Sequence, residues 1–111
     1  VYALTKAMIS GYEMYKDSSP GASGLEAKRQ TTQWVVPYHP GAVKALKEAG
    51  NWSAADEAHN NALLKRQEVL GAAWTAYNTA SAPAEADKFL EGWMKARGAA
   101  LAKANMINGF E

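Results

Sequence analysis

Between Ser53 and Ala104 the chain repeats apolar residues at three- and four-residue steps, interrupted by one proline, Pro83. That pattern constrains the fold more than any other feature, because it fits helices and excludes strands over nearly half the length. Ser53-Ala-Ala-Asp56 reads as a capping box with Asp in the place usually held by Glu. Glu57 adds a second acidic residue to the first turn, which suits the helix dipole. From there a helix is expected to about Asn78, with Ala55, Ala58, Ala62, Leu63, Val69, Leu70, Ala73, Trp74 and Tyr77 on its apolar stripe. Ser81-Ala-Pro83 breaks it, and Pro83 is expected in the first turn of the next helix. The second stripe is Phe89, Leu90, Trp93, Met94, Ala100, Leu101 and Ala104. Two such helices of about 25 and 22 residues, by the apolar period, form an antiparallel hairpin. At 1.5 Å per residue each spans about 30 Å or more, too long for the pair to cover both stripes alone.

The N-terminal half is more broken. Leu4, Met8, Ile9 and Tyr12, widened by Tyr2, Thr5 and Tyr15, give one helical face over residues 2–15. Gly11 within it costs about 1 kcal/mol relative to Ala. Asp17-Ser-Ser-Pro20-Gly21 carries turn chemistry, and a short helix is expected over 23–30. Thr31–Val36 has the composition of an extended segment, ended by Pro37, with one edge pairing at most. Pro40 then opens a two-turn helix over Gly41–Ala49, and Gly50 is suited to the position just past its end. The expected fold is all-α, with four to five helices and at most one short extended segment. It divides into 1–52, short helices with a proline-rich loop, and 53–111, the long hairpin.

Charge excludes some function classes. Twelve Lys and Arg against eleven Asp and Glu, interleaved, form no basic stripe for nucleic acid. The chain has no cysteine, so disulfides and thiolate metal sites are excluded. No run of about 18 apolar residues spans a membrane. The opening Val1-Tyr-Ala-Leu-Thr5 lacks a charged leader and is amphipathic at once, as expected inside a longer protein.

Candidate chemistry is sparse. His39, between Tyr38 and Pro40, reads either as a ligand or proton-transfer residue or as a helix N-cap. A residue before proline is pushed to extended backbone, where an N-cap sits, and that is the expected role. His59 has only Asp56 as a near helical partner, too few ligands for a metal, and reads as a face residue. Asp56/Glu57 and Glu85/Asp87 sit in first turns, where the dipole explains them. The scattered serines and two histidines lack a Gly-x-Ser-x-Gly elbow, and Gly21-Ala-Ser-Gly24 lacks the Lys of a phosphate loop. No catalysis and no cofactor are expected. Lys65-Arg66-Gln67 reads as solvated, except that Arg66 falls near the stripe. It could pair with a Glu, lay its stem on the core with its head in water, or hold an anion. Trp74 and Trp93 read as core or interface packing. Trp52 stands where a hydrophobic staple would, with Glu57 offering only its stem. Trp34 completes the four tryptophans.

The segments Val36-Pro-Tyr-His-Pro-Gly-Ala-Val-Lys44 and Lys47-Glu-Ala-Gly-Asn-Trp52 resemble the C-terminal signature of TAXI-class solute receptors of the tripartite ATP-independent periplasmic (TRAP) transporters. Val1-Tyr-Ala-Leu-Thr-Lys-Ala7 is similar to the family's helix after a valine-tyrosine pair. Glu57–Gln67 through Trp74 resembles an extension found in part of the family. The resemblance covers about residues 1–77. It implies a piece of a two-lobed α/β receptor, periplasmic and without catalytic activity. Such a receptor traps a small organic acid or amino acid and docks on membrane permease subunits. It assigns no ligand contact within this chain. A lobe removed from its partner exposes apolar surface, so self-association of this chain is expected. The alternative reading is a free-standing helical module that binds protein partners.

Overall fold

The structure, a computed structural model, describes residues 1–80 and 82–109. The turn expected at Ser81 and the end at Phe110-Glu111 lie outside the described residues. The chain is all-α. Among the described residues there are five α-helices, α1 (Tyr2–Ser10), α2 (Tyr12–Tyr15), α3 (Pro40–Glu48), α4 (Ala54–Thr79) and α5 (Ala86–Lys103), with 3₁₀ turns at Ala22–Leu25 and Ala27–Arg29. No strand forms among the described residues, so Thr31–Val36 makes no edge pairing. Two compact units, Val1–Leu63 and Leu64–Glu111, divide inside α4.

In the first unit, α1 and α3 run in the same sense. Tyr2 meets Gly41 at their starts, and Ser10 and Ala49 line one hollow at their ends. Ala42, Ala45 and Leu46 are buried on α3, with Leu46 only 2% exposed. The helix expected over 2–15 is two helices. Gly11 adopts φ −88° and ψ 0°, its N–H bonds Ala7 O at 2.9 Å, and the helical bonding restarts at Tyr12. Leu4, placed on the apolar face from sequence, is 67% exposed, while Tyr2, Thr5, Met8 and Ile9 are half-buried. The loop after α2 is held by polar bonds rather than by a ladder. Tyr38 OH donates to Gln30 O at 2.9 Å, and Gln30 Nε2 to Gly24 O at 2.8 Å. The first bond is part-buried and the second exposed.

The second unit is the hairpin. Trp74 and Tyr77 of α4 face Phe89 and Trp93 of α5. Centroids are 4.9 Å apart for Trp74–Trp93 and 5.2 Å for Tyr77–Phe89, in edge-to-face geometry. Such pairs add about 0.5–1.5 kcal/mol beyond their buried area. Tyr77 OH donates to Phe89 O at 2.8 Å. A side chain at Gly92 would collide with that hydroxyl, so the glycine sets how closely Tyr77 approaches. Leu101 is fully buried. α5 begins at Ala86, not at Pro83. Proline fixes only its own φ, Glu85 is still extended (φ −75°, ψ 125°), and the first helical bond runs from Phe89 N–H to Glu85 O. Leu90 and Trp74, both placed on apolar stripes from sequence, are 58% and 45% exposed. Ala55, Ala58 and Ala62 of α4 are exposed too. Among the described residues no helix is long and apolar enough to cross a membrane.

Candidate functional site

Within the first unit, Trp34–Asn60 holds a cluster of aromatic rings and two helix caps, where one helix ends and the next begins. His39 is extended (φ −62°, ψ 139°), and its Nδ1 accepts from Gly41 N–H at 2.9 Å. Pro40 occupies the first helical position, where a missing N–H costs nothing. At the other end Gly50 N–H bonds Lys47 O at 3.0 Å and Asn51 N–H bonds Leu46 O at 2.9 Å. Gly50 has φ +72°. This is a Schellman close, and it requires the left-handed conformation that glycine adopts without strain.

Two residues later the next cap begins. Ser53 N–H and Oγ both bond Asp56 Oδ2 at 2.7 Å, and Asp56 N–H returns to Ser53 Oγ at 3.2 Å. The capping box is reciprocal, as its spacing predicts. Trp52 departs from a hydrophobic staple: its Nε1 donates to Glu57 Oε2 at 2.7 Å, and Lys47 Nζ reaches the same oxygen at 2.8 Å. Glu57 therefore ties the end of α3 to the start of α4 through two donors. Its carboxyl is held below the ordinary 4.5, first by Lys47 and then by Trp52. The Ser53 side chain and then its backbone hold Asp56 below 3.8. Glu48, bonded by Tyr2 OH at 2.7 Å and Lys6 Nζ at 3.0 Å, is lowered by the same partners in that order.

These shifts carry a sign. Each carboxylate has a native pKa below its unfolded value, so its contribution is present above the unfolded value. It is lost as pH falls through the lowered native value. Thermal melts followed by circular dichroism should be flat from neutral pH down to about 5 and fall steeply below about 4. Asp56→Asn should lessen that fall, and an acid response identical to wild type would contradict the assignment.

The rings of Trp34, Tyr38, Trp52 and His59 pack together. Trp34 lies 5.8 Å from Tyr38, 5.7 Å from Trp52 and 4.4 Å from His59, centroid to centroid. His59 Nε2 lies 2.7 Å from Trp34 O. Asn60, 6% exposed, accepts the Tyr38 N–H at 2.8 Å through Oδ1. Burial raises the Tyr38 phenol pKa. Trp34 Nε1 is buried and has no hydrogen-bond acceptor among the described residues. Both histidines thus have structural work: His39 caps a helix and His59 ties α4 to the loop. Among the described residues no three His, Asp or Glu stand close enough to hold a metal. One open hollow, lined by Lys6, Ile9, Ser10, Ala45, Glu48 and Ala49, measures about 200 Å³, and another, lined by Lys16, Asp17, Ser18, Ser19, Pro20 and Ser23, about 450 Å³.

In the second unit the residue that sequence singled out, Arg66, pairs with no Glu among the described residues. Its Nη1 donates to Ile107 O at 2.5 Å and its Nη2 to Asn108 O at 3.2 Å. Arg97, 7% exposed, joins it: Nη2 donates to Asn108 O at 2.9 Å and Nη1 to Asn108 Oδ1. Sequence reasoning passed over Arg97 and Asn60. The signal for Arg97 was its place four residues from both Trp93 and Leu101, on the stripe itself.

No family model, curated protein or solved structure matches this chain.

Proposed function

We propose that this chain is the non-catalytic, helical C-terminal part of a TAXI-class TRAP transporter receptor. In that reading it supports capture of a small organic acid or amino acid in the periplasm, for uptake through a membrane permease, and is a fragment of a two-lobed α/β receptor. The observation that carries the reading is the role of the signature residues. His39, Pro40, Gly41, Gly50 and Trp52 each meet a backbone or packing requirement of the α3–α4 junction. A segment so fully committed to its own architecture suits a supporting element rather than a reaction centre. Solute contacts then belong to the rest of the receptor.

The test is a thermal-shift panel of dicarboxylates, keto acids and amino acids on the product of the complete reading frame. A cognate solute at 100 times its Kd stabilises by about 2.7 kcal/mol, a shift of several degrees. One chemical class shifting the melt agrees with the proposal. A full panel without any shift contradicts it.

A free-standing interaction module is the second reading. It is favoured by the hairpin's exposed Leu64, Trp74 and Leu90, at 43%, 45% and 58%. In that reading these side chains are where a partner helix would dock.

A further inference from the structure

The tail after α5 folds back on the helix and places an Asn-Gly pair under two guanidinium groups. α5 closes on Asn105 at φ +54°, with Met106 N–H bonded to Leu101 O at 2.8 Å. Residues 106–109 then return toward Arg97. The Asn108 side chain lies against α5 at Gly98, where an added Cβ would stand 3.4 Å from Asn108 Nδ2. Its Oδ1 accepts from Arg97 Nη1, and its main-chain oxygen accepts from both Arg66 and Arg97. Gly109, the next residue, is exposed with φ +75°, and a Cβ there would meet nothing within 4 Å.

We propose that Asn108 is a self-modification site, converted by intramolecular deamidation to aspartate and isoaspartate. The Gly109 backbone nitrogen loses its proton to solvent and attacks Asn108 Cγ, forming a new C–N bond. The electron pair of the Cγ=Oδ1 bond moves onto Oδ1. When it returns, the Cγ–Nδ2 bond breaks, and the nitrogen leaves as ammonia after taking a proton from water. Water then opens the cyclic imide at either carbonyl, leaving a carboxylate. The net change is amide plus water to carboxylate plus ammonium, the acid proton passing to the released ammonia, with no oxidant or reductant.

Each arginine contact assists a step. Arg97 donates to the oxygen on which negative charge develops, the arrangement of an oxyanion hole. Two cations on the Asn108 carbonyl favour loss of the neighbouring peptide proton, because opposite charge stabilises the deprotonated form. The product carboxylate stands beside the same guanidiniums and forms charge-assisted hydrogen bonds with them. The other asparagines lack this setting. Asn60, Asn61 and Asn78 are held within α4, and Asn51 and Asn105 precede Trp52 and Met106, whose side chains crowd the attacking nitrogen.

Peptide mapping by mass spectrometry, with isoaspartate counted by enzymatic methylation, follows the change at neutral pH. The references are Arg66→Gln and a synthetic peptide of residues 103–109. The folded chain is expected to convert Asn108 about tenfold faster than the peptide, and Arg66→Gln to lose most of that factor. Arg66→Gln leaves the Trp74, Tyr77, Phe89 and Trp93 packing untouched, so its fold can be verified by circular dichroism. A folded-chain rate at or below that of the peptide overturns the proposal, as does an Arg66→Gln rate equal to wild type.

Discussion

Leu46→Ala is expected to destabilise the first unit by about 3 kcal/mol, within the 2–5 kcal/mol range of buried Leu→Ala changes. Leu46 is 2% exposed, and the other buried apolar residues of that unit are the small Ala22, Ala42 and Ala45. No other large apolar side chain there is fully buried, so none can close the cavity without moving a helix. For a domain of this size each kcal/mol lowers the melting temperature by about 4–8 °C, so the α1–α3 pair should melt some 12–24 °C lower. Leu4→Ala on α1, removing the same atoms from a side chain 67% exposed, is the control and should cost well under 1 kcal/mol. Equal costs for the two would show that α3 does not form the core described above.

Gly41→Ala and Gly71→Ala should have opposite signs, although they are one chemical change on two helices. At Gly41 an added Cβ would stand 2.9 Å from Tyr2 N and 3.2 Å from Tyr2 Cβ. The first of these is backbone, so α1 must shift as a body. Overpacking of this kind costs about 1–3 kcal/mol. It also disturbs the line from Tyr2 OH to Glu48 and the Lys44 ammonium 4.8 Å from the Tyr2 ring. At Gly71, inside α4, nothing lies within 4 Å. Alanine there restricts the unfolded chain and should stabilise by about 0.5–1 kcal/mol. Chemical denaturation of both variants measures the pair. Two stabilising results would remove Gly41 as the contact between α1 and α3.

Local chemistry was readable from the chain. Pro40, Gly50 and the Ser53–Asp56 box mark helix ends through bonds that span three to five residues, and all three stand where their spacing puts them. The all-α character followed from the periodicity of 53–104. What was not readable depends on long-range packing. Gly11 was marked as a weak point, but whether it bends or breaks a helix depends on what α2 packs against. Periodicity put Leu4, Trp74 and Leu90 on apolar faces, yet a face is buried only if something covers it. Arg66 and Arg97 find Asn108 at separations of 42 and 11 residues, and no spacing rule selects an acceptor that far away. Trp52 and Glu57 show the reverse. The staple positions were recognised, but the indole N–H made the contact a hydrogen bond instead of an apolar one.

On the function proposed above, this chain serves solute uptake by holding a receptor together rather than by touching the solute. Uptake of labelled organic acids and amino acids tests it most directly. The comparison runs across cells lacking the gene, cells with the gene restored, and cells carrying His39→Asn, which keeps an N-cap acceptor. Uptake of at least one solute class is expected to fall with the deletion and to return fully with either wild type or His39→Asn. Uptake unchanged by the deletion, or restored by wild type and abolished by His39→Asn in a protein that still folds, would contradict it.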